Sequence, residues 1–516
     1  MPRSSRRSVL AASGALACSA EVLAQTPAPA PRRGGTLRIS VDQAASVINP
    51  LLTRVNPEHL IGELLYSNLT KLKPDMTAEP DLAASWSANG ELTEWRFTLR
   101  PGVRFHDGSA CTARDVAATY AAILDARTGS PARAILAGIT AVEAVDDATV
   151  LIRLAAPTAD LPVTVAHTNT RIIPASIATG DITRLARAPM GTGPFKLVSY
   201  EPDRLIVLTR NDAYFIPEQP YLDRIEIRVY PDNSSETSAL ISGDNDLMVI
   251  ASQAEFDRLR GARGVVAMRT PSGQFLNVNM ACDQRPFSDV RVRRALALSV
   301  DREALVGFVA LGLGTRGEDV PMNASYHFHK AQAPKRADIA QARRLLAEAG
   351  YPNGLDVTLV ASENPGTRAQ LAVAMREMAR PAGIRITVQT MPHAAYLDQV
   401  WRKGAFYVGV YNTQATADDV FKLLYTSNAA WNETRWNNAE FDAVVAQARS
   451  IADEGQRRAL YARAQDMMYE HVPSVIPVFF DLLAARRAYV QGFVHHARGQ
   501  VFRMERVWLD QGAPRR

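Results

Sequence analysis

The sequence predicts an α/β protein of more than one domain, and three observations predict it. Its 516 residues exceed what a single hydrophobic core fills. Short segments in which apolar and polar residues alternate, such as Leu37, Ile39 and Val41, recur along the chain as half-buried strands should. Strand-like residues 357–360, helical 368–380 and strand-like 384–388 follow one another, and such a β-α-β passage favours a parallel sheet. An apolar fraction of 47% excludes wholesale disorder.

Residues 1–24 are expected to be an export signal. Arg3, Arg6 and Arg7 form a basic start, residues 9–20 a short, weakly apolar segment, and Val22, Leu23 and Ala24 offer small residues at the cleavage positions. The Arg6-Arg7 pair just ahead of the apolar segment resembles a twin-arginine signal. Lipid anchoring through Cys18 is the alternative, weakened by Ala15 where a lipobox prefers Leu. Residues 25–34, rich in Pro and Ala, are expected to be a flexible linker. Loss of the signal lowers the net charge from +5 to +3, and the remaining charges are interspersed, so nucleic-acid binding has no support. No apolar run approaches the roughly 18–20 residues that span a bilayer, and the mature chain is expected to be soluble. Cys111 and Cys282 stand far apart with no CxxC pattern and are expected to be isolated thiols.

Order begins at Gly34-Gly35. Asn49-Pro50 ends the first unit in a loop that either faces a cleft or is an ordinary turn. Residues 60–66 read as a short helix. In 95–120, Trp95, Phe97 and Leu99 alternate with polar residues, Pro101-Gly102 and Asp107-Gly108 make two turns, and an amphipathic helix follows with Val116 and Tyr120 on its apolar face. Thr112 with Asp115 three residues on fits an N-cap with an acidic partner. Val150, Ile152 and Leu154 alternate again. Gly191-Thr192-Gly193-Pro194 lacks the Gly-Lys-Ser/Thr of a phosphate loop and reads as a tight turn into a strand over 196–200, which 205–208 pairs back upon.

A second unit starts near residue 273. Residues 275–279 read as a buried strand, and Ser288 or Asp289 caps a helix with Val292, Ala295 and Leu296 on one face. Asp338 and Gln341 cap another helix, ended by Gly350 and Pro352. Helices are expected after Asn438 and over 460–468, and 475–480 is a hydrophobic strand that leads back into the first unit.

Four passages carry a resemblance to a known family. WRFTLRPGVRFHDGSACTARDVAATY (95–120) resembles the signature of extracellular solute-binding proteins of the peptide, nickel and opine class that feed ABC importers. MGTGPF (190–195) resembles the family's Gly-Thr-Gly-Pro-aromatic motif, and PFSDVRVRRAL followed by Asp301-Arg302-Glu303 resembles its second landmark. Gly317-Glu318-Asp319-Val320-Pro321 is similar to a Gly-Asn-Asp-x-Pro step of some members. The resemblance runs from about Gly34 to the C-terminus. It implies a bilobal type II periplasmic binding protein, with lobe one formed by 35–270 plus 481–512, an extra α+β subdomain at 55–170 within it, and lobe two formed by 271–480. It further implies a periplasmic monomer that captures a small peptide or peptide-like ligand between its lobes and passes it to an ABC permease and its ATPase.

No catalytic or cofactor signature opposes that reading. Nine histidines are present without HExxH, and His327 and His329, which on one strand face would be a metal pair, lack a third ligand nearby. Neither a Gly-x-Ser-x-Gly elbow nor a Ser-x-x-Lys motif appears. No enzyme activity, cofactor or metal is expected. The competing readings are a secreted hydrolase whose catalytic pair comes from distant segments, and a sensory receptor or a metal or haem carrier on the same fold. A binding pocket needs apolar walls and a few placed polar groups. Asn49, Gln274, Tyr411, Asn412, Thr413, Gln414, Trp431 and Asn432 are the ligand-binding candidates, most of them in the stretch where the resemblance places ligand contacts. One departure stands out: where many peptide binders carry an acid for the ligand's amino terminus, this chain has neutral Thr413 and Gln414, with Asp418 and Asp419 a turn later.

Overall fold

The computed structural model describes residues 30–514. The expected export signal and the first half of the linker, residues 25–29, lie outside the described residues. Eleven strands form one sheet: β1 (Thr36–Val41), β2 (Phe195–Glu201), β3 (Leu205–Arg210), β4 (Arg224–Val229), β5 (Leu247–Met248), β6 (Val265–Met280), β7 (Gly314–Arg316), β8 (Leu355–Ser362), β9 (Ile384–Met391), β10 (Phe406–Tyr411) and β11 (Ser474–Arg487). Their order is β9-β8-β10-β6-β11-β5-β1-β4-β3-β2, with β7 beside β11. The β-α-β passage is as the sequence suggests: β8 and β9 run parallel from Leu355↔Ile384 to Ser362↔Met391, connected through the helix Thr367–Ala379.

Two long strands join the halves. β6, with 16 residues, and β11, with 14, run antiparallel from Val265↔Arg487 to Asn279↔Ser474. One end of the pair adds to β5, the other to β10. The register breaks between Pro271 and Gln274. Proline has no N–H for the ladder and is tolerated at such an irregularity. Ser272 bridges the break, its hydroxyl donating to the Phe480 carbonyl at 2.7 Å and accepting from the Gln274 N–H at 3.1 Å.

Alternation decides which side of the sheet each residue serves. Leu276, Val278 and Met280 of β6 and Val408 of β10 pack beneath the helices Val290–Leu298, Arg302–Val309 and Thr367–Ala379. Phe275 and Tyr411 face the opposite way, into a core with Phe421, Phe441 and Tyr461. Asp289 is the cap of the first of these helices, accepting from the Arg291 N–H at 2.9 Å.

On the other half, Asp246 fixes β1, accepting from the Arg38 backbone N–H at 2.8 Å and from Arg38 Nε at 3.0 Å. A four-stranded antiparallel sheet, ordered Ala83–Ala88, Glu94–Leu99, Thr149–Leu154, Ile139–Ala144, stands apart from the main sheet. Trp95, Phe97 and Leu99 point inward together with Val116, Tyr120 and Ile123 of the helix Ala113–Leu124. Asp115 accepts from the Thr112 N–H at 2.7 Å, closing the helix start, and from the Ala175 N–H at 2.7 Å, which ties that start to a later segment.

The pairing of His327 with His329 on a strand face is corrected. Both lie in turns, where Phe328 between them packs into the core; His327 Nε2 stands 3.0 Å from Glu454 Oε1. Asp319, from the Gly-Glu-Asp step, is fully buried and takes two hydrogen bonds from Arg302 Nη2 at 2.9 and 2.8 Å, one from Lys335 Nζ at 2.9 Å and one from the Ile476 N–H at 3.0 Å. Burial raises the cost of its charge, but Arg302 and Lys335 outweigh it and hold the carboxyl below its ordinary range. Cys111 and Cys282 are free thiols.

Candidate ligand-binding cleft

β10 ends at Tyr411, and the next five residues build a loop between the halves of the molecule. Thr416 stops it: its hydroxyl accepts from the Asp419 N–H at 3.0 Å and caps the helix Ala417–Leu424. Thr413 donates to the Ala497 carbonyl at 3.1 Å, which brings the C-terminal segment against this loop. The Gln414 N–H donates to the Tyr326 hydroxyl at 3.1 Å.

Beside the loop lies a cavity of about 570 Å³. Ile135, Val163 and His167 line it from one side, Gln414 and Asp419 from the loop and helix, and Arg498 from the C-terminal segment. Leu423 and Val445 add to the apolar wall, and Lys422, Asp442 and Arg449 add to the charged part of the lining, so apolar surface and fixed charges meet in one small-molecule-sized space. A second hollow, of about 780 Å³, is lined by Arg38 of β1, Arg228 of β4, Asp246 and Tyr489, away from the loop after β10.

The charges around the cavity are unequally satisfied. Asp418 receives Arg449 Nε at 3.0 and 2.9 Å, and Asp160 is paired with Arg457. Asp419 makes no ion pair among the described residues, and burial, reinforced by Asp418 and Asp160, pushes its carboxyl up to about 6. Arg498 also lacks an ion pair there; burial lowers its pKa while Asp419 opposes the shift. An acid and a base therefore face one cavity, close enough for their charges to interact, with neither neutralised by direct contact.

The residues expected from sequence divide into three groups. Gln274, Asn412 and Gln414 form a chain of amides, Gln274 Nε2 donating to Asn412 Oδ1 at 3.0 Å and Gln414 Nε2 to the Asn412 carbonyl at 3.1 Å. Tyr411 and Trp431 stack with centroids 6.2 Å apart, and Trp401 meets Trp431 edge-on at 5.8 Å. Asn49, Thr413 and Asn432 have side chains committed to the protein itself. Asn49 Nδ2 donates to the Ile182 carbonyl at 3.1 Å and its Oδ1 accepts from the Leu51 N–H at 3.1 Å. Asn432 Nδ2 donates to the carbonyls of Thr426 at 3.2 Å and Trp436 at 2.9 Å. Arg498 and His167 gave no signal in the sequence, where each is a lone residue in an unremarkable segment.

A long sheet crossed by two strands, with a polar cavity between its halves, defines a two-lobed solute-binding protein. The family described as "Bacterial extracellular solute-binding proteins, family 5 Middle" matches residues 77–435, and the chain belongs to that family. The glutathione-binding protein GsiB of Escherichia coli strain K12 is 26% identical over 466 residues, covering 88% of this chain and 91% of that protein. Among solved structures, HbpA2 from Haemophilus parasuis superposes with a TM-score of 0.84 at 23% identity, covering 92% of this chain and all of the other. The DppA periplasmic binding protein from Helicobacter pylori, solved with the peptide STSA, gives 0.73 at 22% identity over 93% of this chain and 99% of that one. The fold is the type II periplasmic binding protein fold with a mixed α/β sheet.

Proposed function

We propose that the chain is the periplasmic substrate-binding component of an ABC importer, capturing a small peptide or peptide-like solute between its lobes and handing it to a membrane permease and its ATPase. The observation that carries this reading is the unpaired acid and base, Asp419 and Arg498, facing one cavity of about 570 Å³ between the lobes. Arg498 takes a carboxylate of the solute; Asp419 and the Gln414 amide take its N–H groups. Relatives named for glutathione and solved with a peptide support this solute class. Lobe one is proposed to comprise 35–270 plus 481–512 with 55–170 as its subdomain, lobe two 271–480, and the register break after Pro271 to be the hinge between them. The protein acts as a monomer, without a cofactor and without chemistry of its own. Export of the folded chain by the twin-arginine route fits residues 1–24 better than anchoring through Cys18.

Titration calorimetry against a library of di- and tripeptides tests the reading. Replacing a charged partner of a ligand carboxylate forfeits roughly 1.5–3 kcal/mol, so Arg498→Met is expected to weaken binding about ten- to hundredfold. Wild-type affinity in that variant contradicts the assignment of the cleft. Turnover of a library member revives the hydrolase.

A further inference from the structure

The cavity beside the Gln414 loop is charged at one end and apolar at the other, and two helices set that direction. On the helix Ala417–Leu424, Asp419 and Leu423 both line the space, four residues apart on one face and about 6 Å apart along the axis. On the helix Ala439–Arg449, Val445, Ala446 and Arg449 line it in the same way. Arg449 Nε reaches Asp418 at the start of the first helix, whereas Asp442 Oδ1 accepts from the Ser427 N–H beyond its end at 2.9 Å. The two helices therefore run in opposite senses, and Val445 and Ala446, between those contacts, stand level with Leu423. Ile135, an exposed side chain at the end of the short helix Ala132–Ile135, adds further apolar surface to the lining.

The charged end carries more donors than acceptors. Arg498 makes no ion pair among the described residues, and it lies near enough to both Asp419 and His167 for their charges to interact. His167 Nδ1 accepts from the Asn169 N–H at 3.2 Å, so in the neutral ring the proton sits on Nε2. That leaves Nε2–H as a donor on a ring that lines the cavity. The backbone of His167 is fixed, its carbonyl accepting from Asn68 Nδ2 at 2.8 Å and from the Thr170 N–H at 3.0 Å. Asp419 is the acceptor beside these donors, and Thr413 and Gln414 of the adjoining loop add no acid. The remaining acid of the lining, Asp442, is committed to the Ser427 N–H and is offset by Lys422.

The two ends of a peptide present different groups to such a set. A carboxyl terminus offers a carboxylate with the N–H of the last peptide bond beside it, which matches Arg498 and His167 on one hand and Asp419 on the other. An amino terminus offers donors alone: it would satisfy Asp419 but set its ammonium against Arg498 and leave His167 Nε2–H without an acceptor. We propose that the cavity recognises the carboxyl end of its solute, with Arg498 and His167 holding the carboxylate, Asp419 the adjoining N–H, and Leu423 with Val445 the side chain of the last residue. A leucine-sized side chain on the carbon that bears the carboxylate spans the step from the charged end to the apolar one. The ligand class is a peptide or an N-acylated amino acid with a free carboxylate and an apolar last residue, its amino end outside the recognised part. His167 is thereby a specificity-determining residue. This inference rests on the solute-capture reading and specifies it.

The test is calorimetry with alanyl-leucine, its N-acetyl derivative, its carboxyl-terminal amide and the reversed dipeptide leucyl-alanine, on wild type, His167→Leu, His167→Gln, Leu423→Ser and Arg498→Met. Acetylation is expected to change affinity less than about threefold and amidation to weaken it by about tenfold or more. Alanyl-leucine should bind severalfold more tightly than leucyl-alanine, and L423S should lose that preference. H167L is expected to weaken the free acid severalfold without further weakening the amide, whereas H167Q, which keeps an N–H donor, retains most of the affinity. A purely structural role for His167 would affect acid and amide alike. Unchanged thermal midpoints without ligand establish that the variants fold; if His167→Leu does not fold, the acetylated and amidated ligands on wild type decide alone. If R498M weakens binding but acetylation costs as much as amidation, the cleft stands and the carboxyl-end selection falls. Wild-type affinity in R498M overturns the cleft reading and this inference with it. If none of the four ligands binds, the inference falls, and the cleft reading is then decided separately by whether the purified protein retains another solute.

Discussion

Individual buried charges do different work in this molecule, and each is testable by one substitution. Asp319 is surrounded by donors and is fully buried. Asp319→Asn leaves Arg302 and Lys335 buried with half their partner gone, at a cost of about 3–5 kcal/mol. A drop of that size in denaturant unfolding checks it. Because its folded pKa lies below the ordinary value of 3.8, the contribution of Asp319 is complete above that value and disappears as pH falls through the folded one. Glu433 has the opposite sign. Burial raises it from 4.5 to about 7, so it costs stability as pH rises through that interval, and the difference in thermal midpoint between Glu433→Gln and wild type should grow from pH 5 to pH 7.5. A constant difference contradicts this. Asp419, at about 6, must be ionised to accept N–H groups, so affinity should be level above about pH 7 and fall below about pH 6 in wild type but not in Asp419→Asn. None of these pairings was read from the sequence: Arg302 and Asp319 each stood in a short motif, only 17 residues apart, with nothing to say that they meet, and Arg457 and Arg498 face Asp160 and Asp419 from distant segments, a meeting that no local pattern encodes.

At the scale of elements the sequence was informative wherever burial on one face left a period. Trp95, Phe97 and Leu99 alternate because one side of their strand is covered, and Val116 and Tyr120 repeat because one side of their helix is. The Thr112–Asp115 and Asp338–Gln341 caps were legible for the same local reason, the latter closing at 2.8 Å. β6 was only half legible. Residues 275–279 stand out as a strand because both faces are buried, but the strand begins ten residues earlier at Val265, where exposed and half-buried residues and Pro271 hide it. That hidden part carries the register break. A Cβ at Gly273 would come within 2.4 Å of the Tyr326 ring, whose hydroxyl receives the Gln414 N–H. Gly273→Ala should therefore displace Tyr326 and the Gln414 loop, lowering affinity severalfold with the secondary structure unchanged; unaltered calorimetric affinity argues that loop and strand are uncoupled.

For the whole molecule, contacts outside the shared sheet add to the two long strands that join the halves. The buried Asp160–Arg457 pair joins the extra subdomain to the helix Glu454–His471, and the Ala159 N–H donates to the Arg449 carbonyl at 3.0 Å. Removing one partner strands the other, and opening the lobes is the available relief, since it returns Asp160 to water. Arg457→Met is expected to enlarge the ligand-free molecule in small-angle scattering and to weaken solute binding, because part of the binding energy must then close the lobes. Asn49, Thr413 and Asn432 illustrate why site residues were harder to read than the fold. An amide or hydroxyl at a turn serves the turn or a solute equally well in sequence, and only the three-dimensional pairing distinguishes the uses. The central claim is that a solute is held intact between the lobes. Native mass spectrometry of the purified mature chain tests it most directly: one small-molecule adduct, released on denaturation and absent from Arg498→Met, is the result expected, whereas a bare protein that converts added substrates and retains none would contradict it.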